Sequence, residues 1–213
     1  MTWLRRCDKA WRSTSGMSYS TIADLRAHLA GQGQHGSAYA EKMFHPVPDL
    51  PTVSDRARYL VEKAKGKIVL DIGCTGIIAS RIQAVAVRYY GIDRAEGGDW
   101  AKVDVDRLPG EMPTFPDVNL IMVSELLEHL ANPGSFLEAL RAKYPQVPVY
   151  VTVPHAGGYS IKGACEVVNR EHVAWYSYTT LKTLLGRYGY EIVEARWYNG
   201  QPHKAEGLIM LVH

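Results

Sequence analysis

The chain has 213 residues, with 24 Lys and Arg against 22 Asp and Glu, and a formal net charge of +2. That near balance excludes the strongly basic footprint of a general nucleic-acid binder, so nucleic acid is not an expected partner. No apolar run approaches the roughly 20 residues that span a bilayer. Three widely spaced cysteines, Cys7, Cys74 and Cys165, make neither a disulfide framework nor a zinc pattern. The expectation is a soluble, cytoplasmic protein of one domain with a small appendage.

Residues 1–54 are predicted to form an N-terminal helical arm or lid. Residues 21–29 put Ile22, Leu25 and Leu29 on one helix face, and Gly31-Gln32-Gly33 ends that helix. Tyr39 and Phe44 follow in a segment with three prolines, placed to close over a ligand. Residues 55–213 are the main domain. They open on a helix over 54–65, capped by Ser54 or Asp55, with Ala57, Leu60, Val61 and Ala64 facing one way.

Residues 67–80 read KIVLDIGCTGIIAS. An apolar strand, Ile68-Val69-Leu70, runs to Asp71, then to a turn with Gly73 and Gly76, then to a helix. This order builds a nucleotide-sized site at the carboxyl edge of an open α/β sheet. A second strand over 87–92 ends at Asp93, 22 positions after Asp71. A carboxylate there accepts two hydrogen bonds from the vicinal hydroxyls of a ribose. A third strand over 101–105 holds Asp104, with Asp106 close behind. A fourth, 118–123, enters the segment Glu125-Leu126-Leu127-Glu128-His129. Ser135 is the expected cap of a helix over 136–143. A fifth strand, 147–153, ends at Pro154-His155. A helix over 179–188 stops at Gly189, and two strands, 190–197 and 207–212, end the chain as an antiparallel pair. The alternation predicts an α/β fold, a doubly wound Rossmann-like sheet, mostly parallel with a C-terminal antiparallel strand.

The glycine turn resembles motif I of the class I S-adenosylmethionine (SAM) methyltransferases, one residue short and without the middle glycine. The stretches NLIMVSELLEHLANPGSFLEAL, VYVTVPH and EHVAWYSYTTLKTLLGRYGYEI resemble SAM-dependent O-methyltransferases of the ubiquinone-biosynthesis type. The resemblance covers residues 55–213. It implies SAM as cofactor, bound by Asp71, Gly73, Gly76, Asp93 and, at the adenine amino group, Asp104. It implies methyl transfer to a hydroxyl of a small-molecule acceptor. The fourth strand ends in Ser-Glu-Leu-Leu, without the Asn/Asp-Pro-Pro-aromatic run of enzymes that methylate amines of DNA bases.

Methyl transfer needs a group to take the acceptor's proton. His129 is the first candidate and His172 the second. If residues 125–129 were helical, Glu125, Glu128 and His129 would share a face, and with His172 they would suit Mg2+ or Mn2+. That pattern is similar to the small-RNA 2′-O-methyltransferases, which makes metal-assisted RNA 2′-O-methylation an alternative. The same histidines also fit a metal-free site, or loop packing. His155, Tyr159 and Trp175 are the expected acceptor-pocket residues. A catalytically silent SAM-binding partner subunit is the reading from outside enzymology, supported by the shortened turn.

Overall fold

The computed structural model describes residues 47–96, 98–156, 169–200 and 205–213. The predicted helix at 21–29, Tyr39, Phe44 and Tyr159 lie outside them. The chain divides into two units, Met1–Pro48 with Ser160–Val167 and Asp49–Tyr159 with Val168–His213. Apart from Val47 and Pro48, every described residue belongs to the second.

That unit is one eight-stranded sheet. In chain order its elements are β1 (Thr52–Val53), α1 (Arg56–Ala64), β2 (Ile68–Ile72), α2 (Ile77–Val85), β3 (Arg88–Asp93) and β4 (Ala101–Lys102). There follow β5 (Leu120–Ser124), α3 (Pro133–Lys143), β6 (Val149–Pro154), α4 (Tyr178–Arg187), β7 (Ile192–Tyr198) and β8 (Gly207–Val212). The strands lie in the order β1-β7-β8-β6-β5-β2-β3-β4. β8 runs antiparallel to both its neighbours, and the other pairings are parallel.

Side chains alternate across each strand, and this sorts the core into two layers. Leu70 and Ile72 of β2 join Ile121, Val123, Val151 and the apolar face of α3 and α4. Val69 joins Leu120, Met122, Tyr150, Leu60 of α1 and Ile82 of α2. Asp71 shares the parity of Val69, so the same alternation turns it toward the α1–α2 layer.

The structure differs from the sequence reading at element ends. β4 is two residues long, because Asp104 starts a turn: its Oδ1 accepts from the backbone N–H of Asp106 at 3.2 Å. Asn132, not Ser135, caps α3: its Oδ1 accepts from Ser135 N, and Pro133 occupies the first helical turn, where a missing N–H costs nothing. The edge strand β1 is too short to leave a periodic signal. Gly189 ends α4 with φ of +78°; Tyr190 N donates to Leu185 O and Gly189 N to Gly186 O, both at 3.1 Å, a Schellman closure.

Candidate active site

The strand order reverses between β2 and β5, and ligands of open α/β sheets sit in the crevice at the carboxyl ends of such a pair. Residues 73–76 follow β2 and residues 125–126 follow β5. Both loops line the crevice.

Asp71 is 4% exposed, and its Oδ2 accepts from the Tyr89 hydroxyl at 2.9 Å. Burial pushes its carboxyl up to about 6, against the opposite pull of Tyr89 and with a small push from Asp93. Gly73 has φ of +81°, and a Cβ there would stand 3.3 Å from Leu126 Cδ1. Gly76 is different. Its backbone is extended and it starts α2 with no side-chain cap, while a Cβ there would meet no atom within 4 Å. An uncapped helix start beside open space suits a ligand that approaches the backbone closely.

Asp93 ends β3, 8% exposed, with Oδ1 accepting from Ala95 N at 2.8 Å. Asp104 spends Oδ1 on its own turn, and Asp106 Oδ1 accepts from Asn132 N at 3.0 Å. Gly73, Thr75, Asp93, Asp104 and Asp106 are among the residues around a cleft of about 210 Å³. An adjoining cleft of about 360 Å³ has Arg56, Asp71, Gly76 and Ser124 in its wall. Gly73, Thr75 and Glu125 border both. The structure therefore gathers all five residues expected to hold the donor at one crevice.

Arg56 was not foreseen. It opens α1, and its Nη1 lies 2.6 Å from Glu125 Oε1. Burial works against its charge, and Glu125 and Tyr198 together more than restore it. A cation in the first turn of a helix runs against the macrodipole, and that was the available signal.

The expected helical face of Glu125, Glu128 and His129 does not form. Glu125 takes φ of +53°, and the short 3-10 turn that follows spans Leu127–His129. Glu125 N donates to Thr152 O at 2.9 Å, and Oε1 accepts from Thr152 Oγ1 and Tyr198 OH, each at 3.0 Å. With Arg56, three donor groups converge on that one oxygen. A left-handed non-glycine residue costs on the order of 1 kcal/mol and is held by its surroundings.

Glu128, His129 and His172 do come together. One ligand atom from each lies within 4.8 Å of the others, and the two imidazoles meet edge to face at 4.7 Å. Backbone pairing brings the distant segment in: Val173 N and Ala174 N donate to Glu128 O at 2.8 and 3.2 Å. Glu128 is 1% exposed, and neither carboxylate oxygen has a hydrogen-bond partner. Burial, with Glu125 nearby, pushes its carboxyl up to about 8. His129 Nδ1 sits 3.1 Å from the carbonyl of Glu171. A carbonyl only accepts, so Nδ1 carries the proton and Nε2 the lone pair. Burial, and then His129, lower the pKa of His172, whose Nε2 lies 3.0 Å from Asn169 Nδ2.

Of the expected acceptor residues, Trp175 is 41% exposed and Val173 beside it 59% exposed. His155 is 4% exposed, its ring tilted on Trp197 at 4.6 Å.

An acidic strand end, a glycine turn and a second acidic strand end at the switch point define a nucleoside-binding α/β protein. A family model described as a methyltransferase domain matches residues 39–195, and the chain belongs to that family, as a class I SAM-dependent methyltransferase. The ubiquinone biosynthesis O-methyltransferase of Bordetella parapertussis is 38% identical over 93 residues, covering 36% of this chain and 38% of that enzyme's length. A 1,6-didemethyltoxoflavin N1-methyltransferase of Burkholderia thailandensis, solved with S-adenosylhomocysteine, has a TM-score of 0.54. It is 15% identical and covers 92% of this chain and 91% of its own. A small RNA methyltransferase has a TM-score of 0.59 at 16% identity, covering 73% of this chain and 24% of its own. These two structures share the fold.

Proposed function

We propose that the protein transfers the methyl group of SAM to a hydroxyl of a small-molecule acceptor, beside a divalent cation held by Glu128, His129 and His172. The observation that carries this reading is Glu128, buried without a hydrogen-bond partner and flanked by two imidazoles. A buried carboxylate left alone is costly, and a cation removes that cost. The partial likeness to a ubiquinone biosynthesis O-methyltransferase supports the hydroxyl acceptor.

Each residue has a role in this reading. Asp93 receives the ribose hydroxyls and Asp104 the adenine amino group. Asp71 and Arg56 face the amino-acid end of the donor, and Gly73 and Gly76 let the backbone approach it. A cation would supply Lewis acidity, lowering the pKa of the acceptor hydroxyl. With the cation bound, the free lone pairs of His129 and His172 would be used as its ligands and the released proton would pass to solvent; without a cation, His129 Nε2 or His172 is free to take it. Exposed Trp175 and Val173 offer an apolar surface to the acceptor body.

The test is transfer from labelled SAM to a panel of phenols, catechols and sugars, before and after EDTA. Methylation of a hydroxyl compound that EDTA stops and Mn2+ restores is expected. Transfer indifferent to EDTA would overturn the metal and leave His129 or His172 as base. A protein that binds SAM but transfers its methyl group to nothing in the panel would support the silent SAM-binding partner subunit, and one that binds neither SAM nor S-adenosylhomocysteine would overturn the donor site itself. A second reading, 2′-O-methylation of RNA ends, is favoured by the Glu128–His129–His172 cluster and the fold shared with a small RNA methyltransferase. A short RNA with a free terminal ribose belongs in the same panel.

A further inference from the structure

Arg56 and Glu125 form an ion pair exactly where the two halves of the site meet. Glu125 borders both clefts, whereas Arg56 borders only the one beside Asp71 and Gly76. In that cleft Arg56 is the one cation among the described lining residues, and Asp71 and Glu125 are the acids. An amino-acid zwitterion bound there would set its ammonium against the acids and its carboxylate against Arg56. That carboxylate is the same chemical group that Glu125 now offers to Arg56. On its other side Glu125 shares the wall of the other cleft with His129, a member of the Glu128–His129–His172 cluster.

We propose that Glu125 is an exchangeable carboxylate that couples the donor site to the cation site. In this structure its Oε1 is held by Arg56, Thr152 and Tyr198. The donor's carboxylate takes over Arg56, and Glu125 turns toward Glu128, His129 and His172 as a further oxygen ligand. The left-handed backbone at Glu125, fixed by its N–H to Thr152, keeps the side chain at the crevice between the two destinations. The inference rests on the cation reading above. It adds that donor and cation strengthen each other's binding, by the same factor in both directions.

The experiment is calorimetric titration of the metal-free protein with Mn2+, alone, with saturating S-adenosylhomocysteine, and with saturating 5′-methylthioadenosine. The last compound keeps the nucleoside but lacks the amino-acid end. Coupling of this kind is typically worth about 5- to 150-fold. S-adenosylhomocysteine should tighten Mn2+ by about tenfold, and methylthioadenosine should leave it unchanged. Arg56→Ala should bind Mn2+ tightly from the start, with no further gain from S-adenosylhomocysteine; Glu125→Gln should bind it weakly in every state. Measurable but equal Mn2+ affinities across the three conditions would overturn the exchange and leave the cation site standing. Equal tightening by both nucleosides would also overturn it, because the coupling would not pass through the carboxylate. No Mn2+ binding in any condition would overturn the cation reading and the exchange with it.

Discussion

Asp71 and Glu128 are two acids buried at one edge of one sheet, and they are built differently. Asp71 is the penultimate residue of β2 and is matched: Tyr89 donates to it, and its pKa settles at about 6. Glu128 follows β5 and is unmatched: nothing donates to either oxygen, and its pKa climbs to about 8. The half of the crevice proposed for the donor has its buried acid partnered. The other half carries an electrostatic debt, set by burial, that a bound cation would remove. A fold can hold such an unmatched group only because the sheet and its two cores are stable enough to impose it.

The comparison breaks most visibly at Asp93. In the proposed donor site, replacing it with Ala would remove two charge-assisted hydrogen bonds to the ribose, roughly 2 kcal/mol each, so S-adenosylhomocysteine should bind about a thousandfold more weakly. Calorimetry reads this directly, and Mn2+ binding without nucleoside should be unchanged. The mirror experiment is Glu128→Gln. Loss of an outer-shell partner alone costs about 10- to 100-fold in metal affinity, so loss of a ligand should cost at least about 100-fold. Nucleoside affinity measured without metal should stay within about twofold. If either variant damages both halves equally, the halves are not separate sites.

The gathering of the proposed donor residues at one crevice was legible in the sequence because its pattern is local. Asp71, Gly73 and Asp93 sit at strand ends and in one turn, where apolar runs and glycines mark position along the chain. The cation cluster was legible only in part. Glu128 and His129 are neighbours in sequence, but His172 reaches them through backbone bonds from Val173 and Ala174 to Glu128, which no spacing announces. Glu125 was misplaced because a helix was assumed where the chain takes a left-handed residue. Arg56 was missed because its partners, Glu125 and Tyr198, lie about 70 and 140 positions away. His155 shows what strand-end position alone leaves open: its ring is buried against Trp197, a contact from a distant strand that no local pattern announces.

Matching does not make Asp71 free of cost, and pH reveals the difference. Its pKa is about 6 in the folded protein and 3.8 for an ordinary aspartate. Between those values the folded state keeps a proton that the unfolded chain has released. The stability this contributes is fully present below about pH 4 and is lost as pH rises through 6. A shift of this size corresponds to roughly 2 kcal/mol after some relaxation of the site. Asp71→Asn should abolish that decline, leaving a melting temperature flatter between pH 4 and 7 than that of the parent. An unchanged profile would show that Asp71 is better solvated than its burial implies.

The smallest effect lies outside both halves and calibrates them. Gly189 closes α4 with φ of +78°, a conformation that costs a residue with a Cβ about 1 kcal/mol. An added Cβ would also approach Arg141 Nε at 3.0 Å, but a guanidinium at the end of a flexible side chain can withdraw. Gly189→Ala should therefore lower the melting temperature by about 2–4 °C, the shift expected for 1 kcal/mol in a chain of this size. Nucleoside and Mn2+ affinities should not move. If they do, the crevice responds to overall stability, and losses seen at Asp93 and Glu128 must be corrected for it. If they do not, those losses belong to the carboxylates themselves.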